Sequence, residues 1–291
     1  VAWITILSDY GHDDTYVGVC HGVMARIAPD ARLIDLCHQI PPRDVAQGAL
    51  LLAEAIEYLP VGVRLALVDP VGPVEVRPLV VETADGSLFV APDNGLTSGA
   101  WDKVGGVSRA FEITNPALML PRPSPLFRGR DVFAPVAAHL AAGTPASEVG
   151  PAVDPATLVR LAEPRASVHG DHVHGEVIGV DHFGNMALNM RRTDLEAAGL
   201  ILGDLVQLRA GGRTYHVPFV HSYGEVAPGL LAVCENADRR ISVAVNRGDA
   251  ATTLRGARGD ALVLGRVPPT RSVAGGDRRI GVLDPPPGAD R

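Results

Sequence analysis

Asp69 closes an apolar run in the stretch LVDPVGPVEVRPLVV, Leu67 to Val81, and is followed by Pro70, Gly72 and Pro73 before a second apolar run begins. Asp-Pro and Gly are turn formers on steric grounds, so an ordinary strand connection accounts for the pattern. A lone carboxylate at the mouth of a strand also suits a group facing a reacting centre. Other polar clusters raise the same choice. SDYGHDDTY puts Asp9, Asp13 and Asp14 in one loop. Clustered carboxylates there could bind a divalent cation, cap the next helix or accept hydrogen bonds from sugar hydroxyls. Capping is expected of Asp13 or Asp14, which leaves Asp9, at the strand terminus, as the functional candidate.

HGDHVHG, His169 to Gly175, places His172 and His174 on one strand face at period two. Gly170-Asp171 reads as a hairpin turn, and no cysteine or fourth ligand is near. A structural or surface role is expected, with no metal site. GVDHFGNMALN contains Asp181, Phe183, Asn185 and Asn189. An Asx-bonded turn explains it; an aromatic face beside an amide could equally stack on and hydrogen-bond a purine. Composition alone favours the turn. Asn94-Gly95 is a turn signal. Arg128 and Arg130 could neutralise Asp69, anchor an anion or form surface ion pairs. The GxGxxG, P-loop, GxSxG and HExxH signatures are absent.

These residues need elements to hold them. The chain has 291 residues, enough for two domains, with 46% hydrophobic and 20% charged residues, a globular composition. A net charge of −7 supplies no basic face, so nucleic acid is not an expected partner. Three widely spaced cysteines (Cys20, Cys37, Cys234) form no disulfide framework and point to a reducing cytoplasm. No apolar run approaches the ~20 residues of a membrane helix, and the apolar start VAWITILSDYG lacks the marks of a leader.

From residue 1 to about 165, strand-like runs (WITILSD, RLIDLCH, GVRLALVDP) alternate with helical periodicity (YVGVCHGVMARIAP, DVAQGALLLAEAIEYLP). This predicts an α/β domain with a mainly parallel sheet flanked by helices. Asp9, His38 and Asp69 then stand at the carboxyl ends of strands, where such sheets bind ligands. Residues 166–267 carry short alternating runs punctuated by Gly, which predicts a second, β-barrel-like domain. Residues 268–291 are rich in Pro, Gly and charge and are expected to be disordered.

Taken together, SDYGHDDTYVGVCHGV, APDARLIDLCHQIPPRDVAQGA, VDP, APDNGL, GRDVFAPVAAHLAAG, VDHFGN and ISVAVNRG resemble, in order and spacing, the S-adenosylmethionine (SAM) hydroxide adenosyltransferases. These are adenosine-forming SAM hydrolases related to fluorinase and chlorinase. The resemblance covers Val1 to about Val267 and implies a homotrimer with active sites between subunits. It implies hydrolysis of SAM, which is the substrate, to adenosine and L-methionine without a cofactor. By motif, Asp9 would accept the ribose hydroxyls, and Asp14 and Asp181 would hold the methionine amino group. Phe183 and Asn185 would receive the adenine, and Asn236 and Asn246 lie in a segment that supplies backbone contacts. Arg43 replaces an aromatic residue near the ligand.

The halide-using relatives carry Tyr where this chain has Asp69, and a carboxylate there repels halide and suits water. Family hydrolases pair this Asp with an Arg and a His. The Arg position is Val76, with Arg77 one residue later, and the His position is Arg128, next to Gly129. Asp69, Arg77 and Arg128 are therefore the expected catalytic residues. Halogenation, or SAM and adenosine binding with impaired catalysis, are the alternatives.

Overall fold

A computed structural model describes residues 2–68 and 76–268. The chain divides into two compact units, Val1–Glu163 and Pro164–Arg291. Asp69 lies outside the described residues, as do residues 269–291 of the tail expected to be disordered from 268 on.

The first unit is an α/β layered structure. Its strands are β1 (Trp3–Ser8), β2 (Arg32–Cys37), β3 (Val63–Leu67), β4 (Pro78–Thr83), β5 (Leu88–Pro92), β6 (Val107–Glu112) and β7 (Ala152–Val153). They form one sheet in the order β2-β1-β3-β5-β4-β6-β7. β2, β1, β3 and β5 run parallel, as the strand–helix alternation predicts, and β4, β6 and β7 add antiparallel partners at one side. Helices α1 (Tyr16–Ile27), α2 (Val45–Ala55), α3 (Ser98–Lys103) and α4 (Ala134–Ala141) cover it.

Side chains alternate across a strand, and the sheet is buried on both faces. Ile4, Ile6, Val63 and Leu65 pack with Cys20 and Met24 of α1 and Ala134 and Ala137 of α4. Leu7, Ala66, Val81 and Phe89 pack on the other face with Leu52 of α2 and Trp101 of α3. Arg64 is an exception inside this core. Its guanidinium is buried and donates to Thr5 Oγ1 and the Pro60 carbonyl.

The chain leaves β1 for β2 on one side and returns to β3 on the other. The crevice between the carboxyl ends of β1 and β3 is thus a topological switch point, the place where open α/β sheets bind ligands. Asp9 N–H donates to the Leu67 carbonyl at 3.3 Å across this gap.

The second unit holds β8 (Ser167–His169), β9 (His172–Val180), β10 (Met186–Leu188), β11 (Leu205–Ala210), β12 (Arg213–Pro218), β13 (Leu231–Glu235), β14 (Ile241–Val245) and β15 (Ala261–Arg266). The sheet order is β12-β11-β15-β9-β10-β14-β13, with β8 paired to β9. A bridge between Phe219, just past β12, and Val233 of β13 nearly closes it into a barrel. Val173, Val177, Leu188, Val206, Leu208, Val217, Val243 and Leu264 fill the interior. The short helices α5 (Arg192–Ala197) and α6 (Ala250–Leu254) interrupt the strands. The turn between β8 and β9 is Gly170-Asp171, with Gly170 at φ +61°.

Candidate active site

β1 ends at Ser8 because Asp9, Tyr10 and Gly11 leave the sheet. Gly11 adopts φ +68°, a region open to glycine, and its N–H donates to the His38 carbonyl at 2.7 Å. The loops after β1 and β2 are thereby tied together. Asp9 Oδ2 accepts the Arg43 backbone N–H at 2.8 Å. Arg43 itself sits at φ +67°, a strained conformation for a residue with a side chain. The strain aims its amide at Asp9. Burial is the main influence on Asp9 and lifts its carboxyl above the usual range, while the Arg43 amide pulls the other way. Asp9 is therefore a half-buried acceptor at the switch point.

The loop that follows places Asp13 and Asp14 in solvent. Neither caps α1, contrary to expectation. Thr15 is the cap residue and no side chain caps the helix. Asp14 is consequently not consumed by a helix terminus.

Two side chains fix the carbonyls that flank residues 69–75. Asn94 Nδ2 donates to the Val68 carbonyl at 2.8 Å, and its Oδ1 accepts the Leu96 N–H. Arg128 Nη1 donates to the Val76 carbonyl at 3.1 Å, and its guanidinium lies 5.4 Å from the Phe133 ring. In sequence Asn94 is only a turn residue; its clamp just past the end of β3 needs the fold. Arg77 has a different engagement. It donates to Asp93 through Nε (3.1 Å) and Nη2 (2.5 Å), and to the Thr157 carbonyl. The Asp93 side chain is 4% exposed and also accepts the Val159 N–H.

Arg128 precedes a π-helical turn, Gly129–Phe133, that runs into α4. Pro135, in the first turn of α4, has no N–H to give the Asp131 carbonyl. That carbonyl accepts the Leu120 N–H at 2.9 Å instead. Gly129 is buried against Tyr10, and a Cβ there would overlap the Tyr10 hydroxyl. Tyr10, Tyr16 and Phe127 meet edge-on, with centroids 5.1–5.9 Å apart. Arg130 pairs with Asp131, and this hydrogen bond holds the Asp131 carboxyl below the usual range. The first unit thus places Asp9 and Arg43 on the loops after β1 and β2, and Arg128 and Gly129 at the start of the helical turn that leads into α4, while Arg77 is tied to Asp93.

In the second unit the carboxylate of Asp181 organises its own turn. Oδ1 accepts the N–H groups of Phe183 and Asn185, and Oδ2 accepts Asn185 Nδ2, all at 2.8–2.9 Å. The turn expected from composition is present, and it presents Phe183 at 74% exposure. Asn246 Nδ2 donates to the Val226 carbonyl, while its own carbonyl accepts the Gly229 N–H. Asn236 Oδ1 caps the β13–β14 turn by accepting from Asp238 and Arg240.

Residues 4–150 match the SAM hydroxide adenosyltransferase N-terminal domain, and residues 175–263 match the C-terminal domain of the same family. The (R)-S-adenosyl-L-methionine hydrolase of Salinispora arenicola is 45% identical over 262 residues, covering 89% of this chain and 96% of that protein. The enzyme of the same name from Thermus thermophilus is 39% identical over 259 residues, 86% of this chain and 94% of that one. A fluorinase of an Actinoplanes species is 32% identical over 80% of this chain and 91% of its own length. Among solved structures, an uncharacterized conserved protein from Thermotoga maritima superposes with a TM-score of 0.84 at 34% identity, covering 90% of this chain and all of that one. The chain belongs to the SAM hydroxide adenosyltransferase family.

Proposed function

We propose that this enzyme hydrolyses SAM to adenosine and L-methionine by in-line attack of water on the ribose 5′-carbon. The new bond joins the water oxygen to C5′, the C5′–S bond breaks with its electron pair going to sulfur, and one proton is released. Kinship with hydrolases named for (R)-SAM supports this reading and extends it to the (R) configuration at sulfur. The structural observation that carries it is Asp9, a half-buried carboxylate held by the Arg43 amide at the β1/β3 switch point.

A carboxylate so placed accepts two parallel hydroxyl donors, which suits a ribose diol. Asp69 directly follows Val68 in the sequence and is assigned the nucleophile, orienting water and taking its proton. The sulfonium is a good leaving group, so positioning and desolvation of water supply most of the acceleration. Arg128 is assigned the cationic role beside Asp69, supported by its bond to Val76. A guanidinium supplies positive charge and does not serve as a base at neutral pH. The Gly129 N–H is assigned to the nucleophile. Arg77 shares the catalytic assignment only weakly, because its guanidinium is held by Asp93.

Asp14 and Asp181 are assigned the methionine ammonium. Asp14 is exposed, and Asp181 retains acceptor capacity beyond its three turn bonds. Phe183 and Asn185 are assigned the adenine, supported by the exposed ring. Arg43 is assigned a place beside the substrate, where it replaces an aromatic residue, and Asn246 lies in the segment assigned backbone contacts with the substrate. We also assign the protein to a homotrimer in a reducing cytoplasm, with no added cofactor; among the described residues no helix is long and apolar enough to cross a membrane.

Incubating the purified chain with each SAM epimer, with and without chloride, tests the proposal. Adenosine and methionine in equal amounts support it. 5′-Chloro-adenosine would move the reading to halogenation, and tight SAM binding without product would move it to a binding protein.

A further inference from the structure

Three chemistry-bearing side chains outside the proposed substrate site converge from separate elements. His21 lies on α1, Asp35 on β2 and His38 just past β2. His21 Nε2 is 2.8 Å and His38 Nε2 is 3.0 Å from the same oxygen, Asp35 Oδ1. The three donor atoms all lie within 4.8 Å of one another. We propose that His21, Asp35 and His38 form a binding site for one divalent first-row cation of the Zn2+ class.

The donor set is two imidazoles and one carboxylate, which suits zinc and its neighbours and not the oxygen-seeking Mg2+ or Ca2+. Zinc–ligand bonds of about 2.0–2.2 Å in a tetrahedral site put donors about 3.4 Å apart. The observed separations of 2.8 and 3.0 Å need only a small opening to admit the ion. Asp35 is 44% and His21 28% exposed, so a cation has a route in and a fourth position is open to water.

The supporting shell is also built. His38 is buried, and its second ring nitrogen, Nδ1, lies 2.6 Å from Ser8 Oγ. With a cation on Nε2, Nδ1–H donates to that hydroxyl and fixes the ring, the usual arrangement for a metal-bound imidazole. Ser8 immediately precedes Asp9, and the His38 carbonyl accepts the Gly11 N–H. The cation would therefore clamp α1, β2 and the β1 loop that carries Asp9, outside the reacting groups.

The full-length protein, stripped of metal, is titrated with Zn2+ by calorimetry and with Co2+ by visible absorption. One ion per chain, with cobalt d–d bands, is expected. His21→Ala, at a partly exposed helix position, and Asp35→Asn should each weaken binding at least about tenfold, and Ser8→Ala about 10–100-fold. His172→Ala, at the separate His172–Asp171 pair, should bind as the parent does. Absence of stoichiometric binding, or undiminished binding by His21→Ala and Asp35→Asn, would overturn the proposal. SAM turnover by metal-free His21→Ala should match the metal-free parent, so failure of the metal site and failure of the hydrolase reading are separable.

Discussion

Arg128 reaches 52 positions back along the chain to donate to the Val76 carbonyl at 3.1 Å. That bond brings a permanent cation to one flank of the segment containing Asp69. At the other flank Asn94 holds the Val68 carbonyl. Arg128→Ala is expected to lower kcat about 10–100-fold with a small change in KM, read from steady-state adenosine formation. Arg128→Lys should recover only part of this, because an ammonium lacks the planar fork and the stacking on Phe133. Full recovery by Lys would reduce the role to charge alone.

Asp69→Asn isolates the nucleophile. An amide keeps the size and a hydrogen bond but takes no proton, so kcat should fall about 100-fold or more while SAM affinity changes little. Calorimetric binding and single-turnover rates on the same sample measure both. Parallel losses would assign Asp69 to substrate binding.

Asp9→Asn should trade affinity against stability. Losing charge-assisted bonds to two hydroxyls weakens SAM binding, by about 1.5–3 kcal/mol for each such bond removed. Because burial raises the folded-state pKa of Asp9, its favourable contribution to folding is complete below the unfolded carboxylate pKa and is lost as pH rises through the folded value. At neutral pH the ionised form therefore costs stability. Asp9→Asn should melt higher than the parent at pH 7, with the gap closing in acid. SAM affinity of the parent should fall on acidification at a higher pH than an ordinary carboxylate would give.

Arg77→Ala distinguishes a structural pair from a catalytic one. It leaves the almost fully buried Asp93 carboxylate with only the Val159 N–H among the described residues. Breaking a fully buried pair costs about 3–5 kcal/mol. Because Arg77 is 38% exposed, the expected loss is smaller, about 2 kcal/mol by urea unfolding. Below the melting temperature kcat should change by less than about threefold. A large fall in kcat with unchanged stability would return Arg77 to the catalytic group.

Gly129→Ala should be poorly tolerated because its methyl group overlaps the Tyr10 hydroxyl. Overpacking of this kind costs about 1–3 kcal/mol. Adding Tyr10→Phe removes the colliding oxygen and should restore part of the loss, a coupling that a double-mutant cycle measures directly.

Much of this was readable from residue order. Continuous apolar runs in WITIL and RLALV mark strands buried on both faces, and period-3.6 runs in α1 and α2 mark helices that cover them, so the alternation of strands and helices and the strand-end positions of Asp9 and His38 follow from patterning alone. Asp181 binding its own turn is equally local, since an Asx side chain reaches only a few residues ahead. Other relationships depended on where distant segments meet. Arg77 and Arg128 look equivalent as sequence, yet one is drawn to Asp93 and the other to Val76 because β4, β5 and the π turn before α4 bring those partners close. His21, Asp35 and His38 show no metal-binding spacing, since α1 and β2 supply them separately and only tertiary packing points both imidazoles at one oxygen. Local chemistry follows from the backbone a residue shares with its neighbours; pairing across tens of residues follows from the packing of the sheet and its helices.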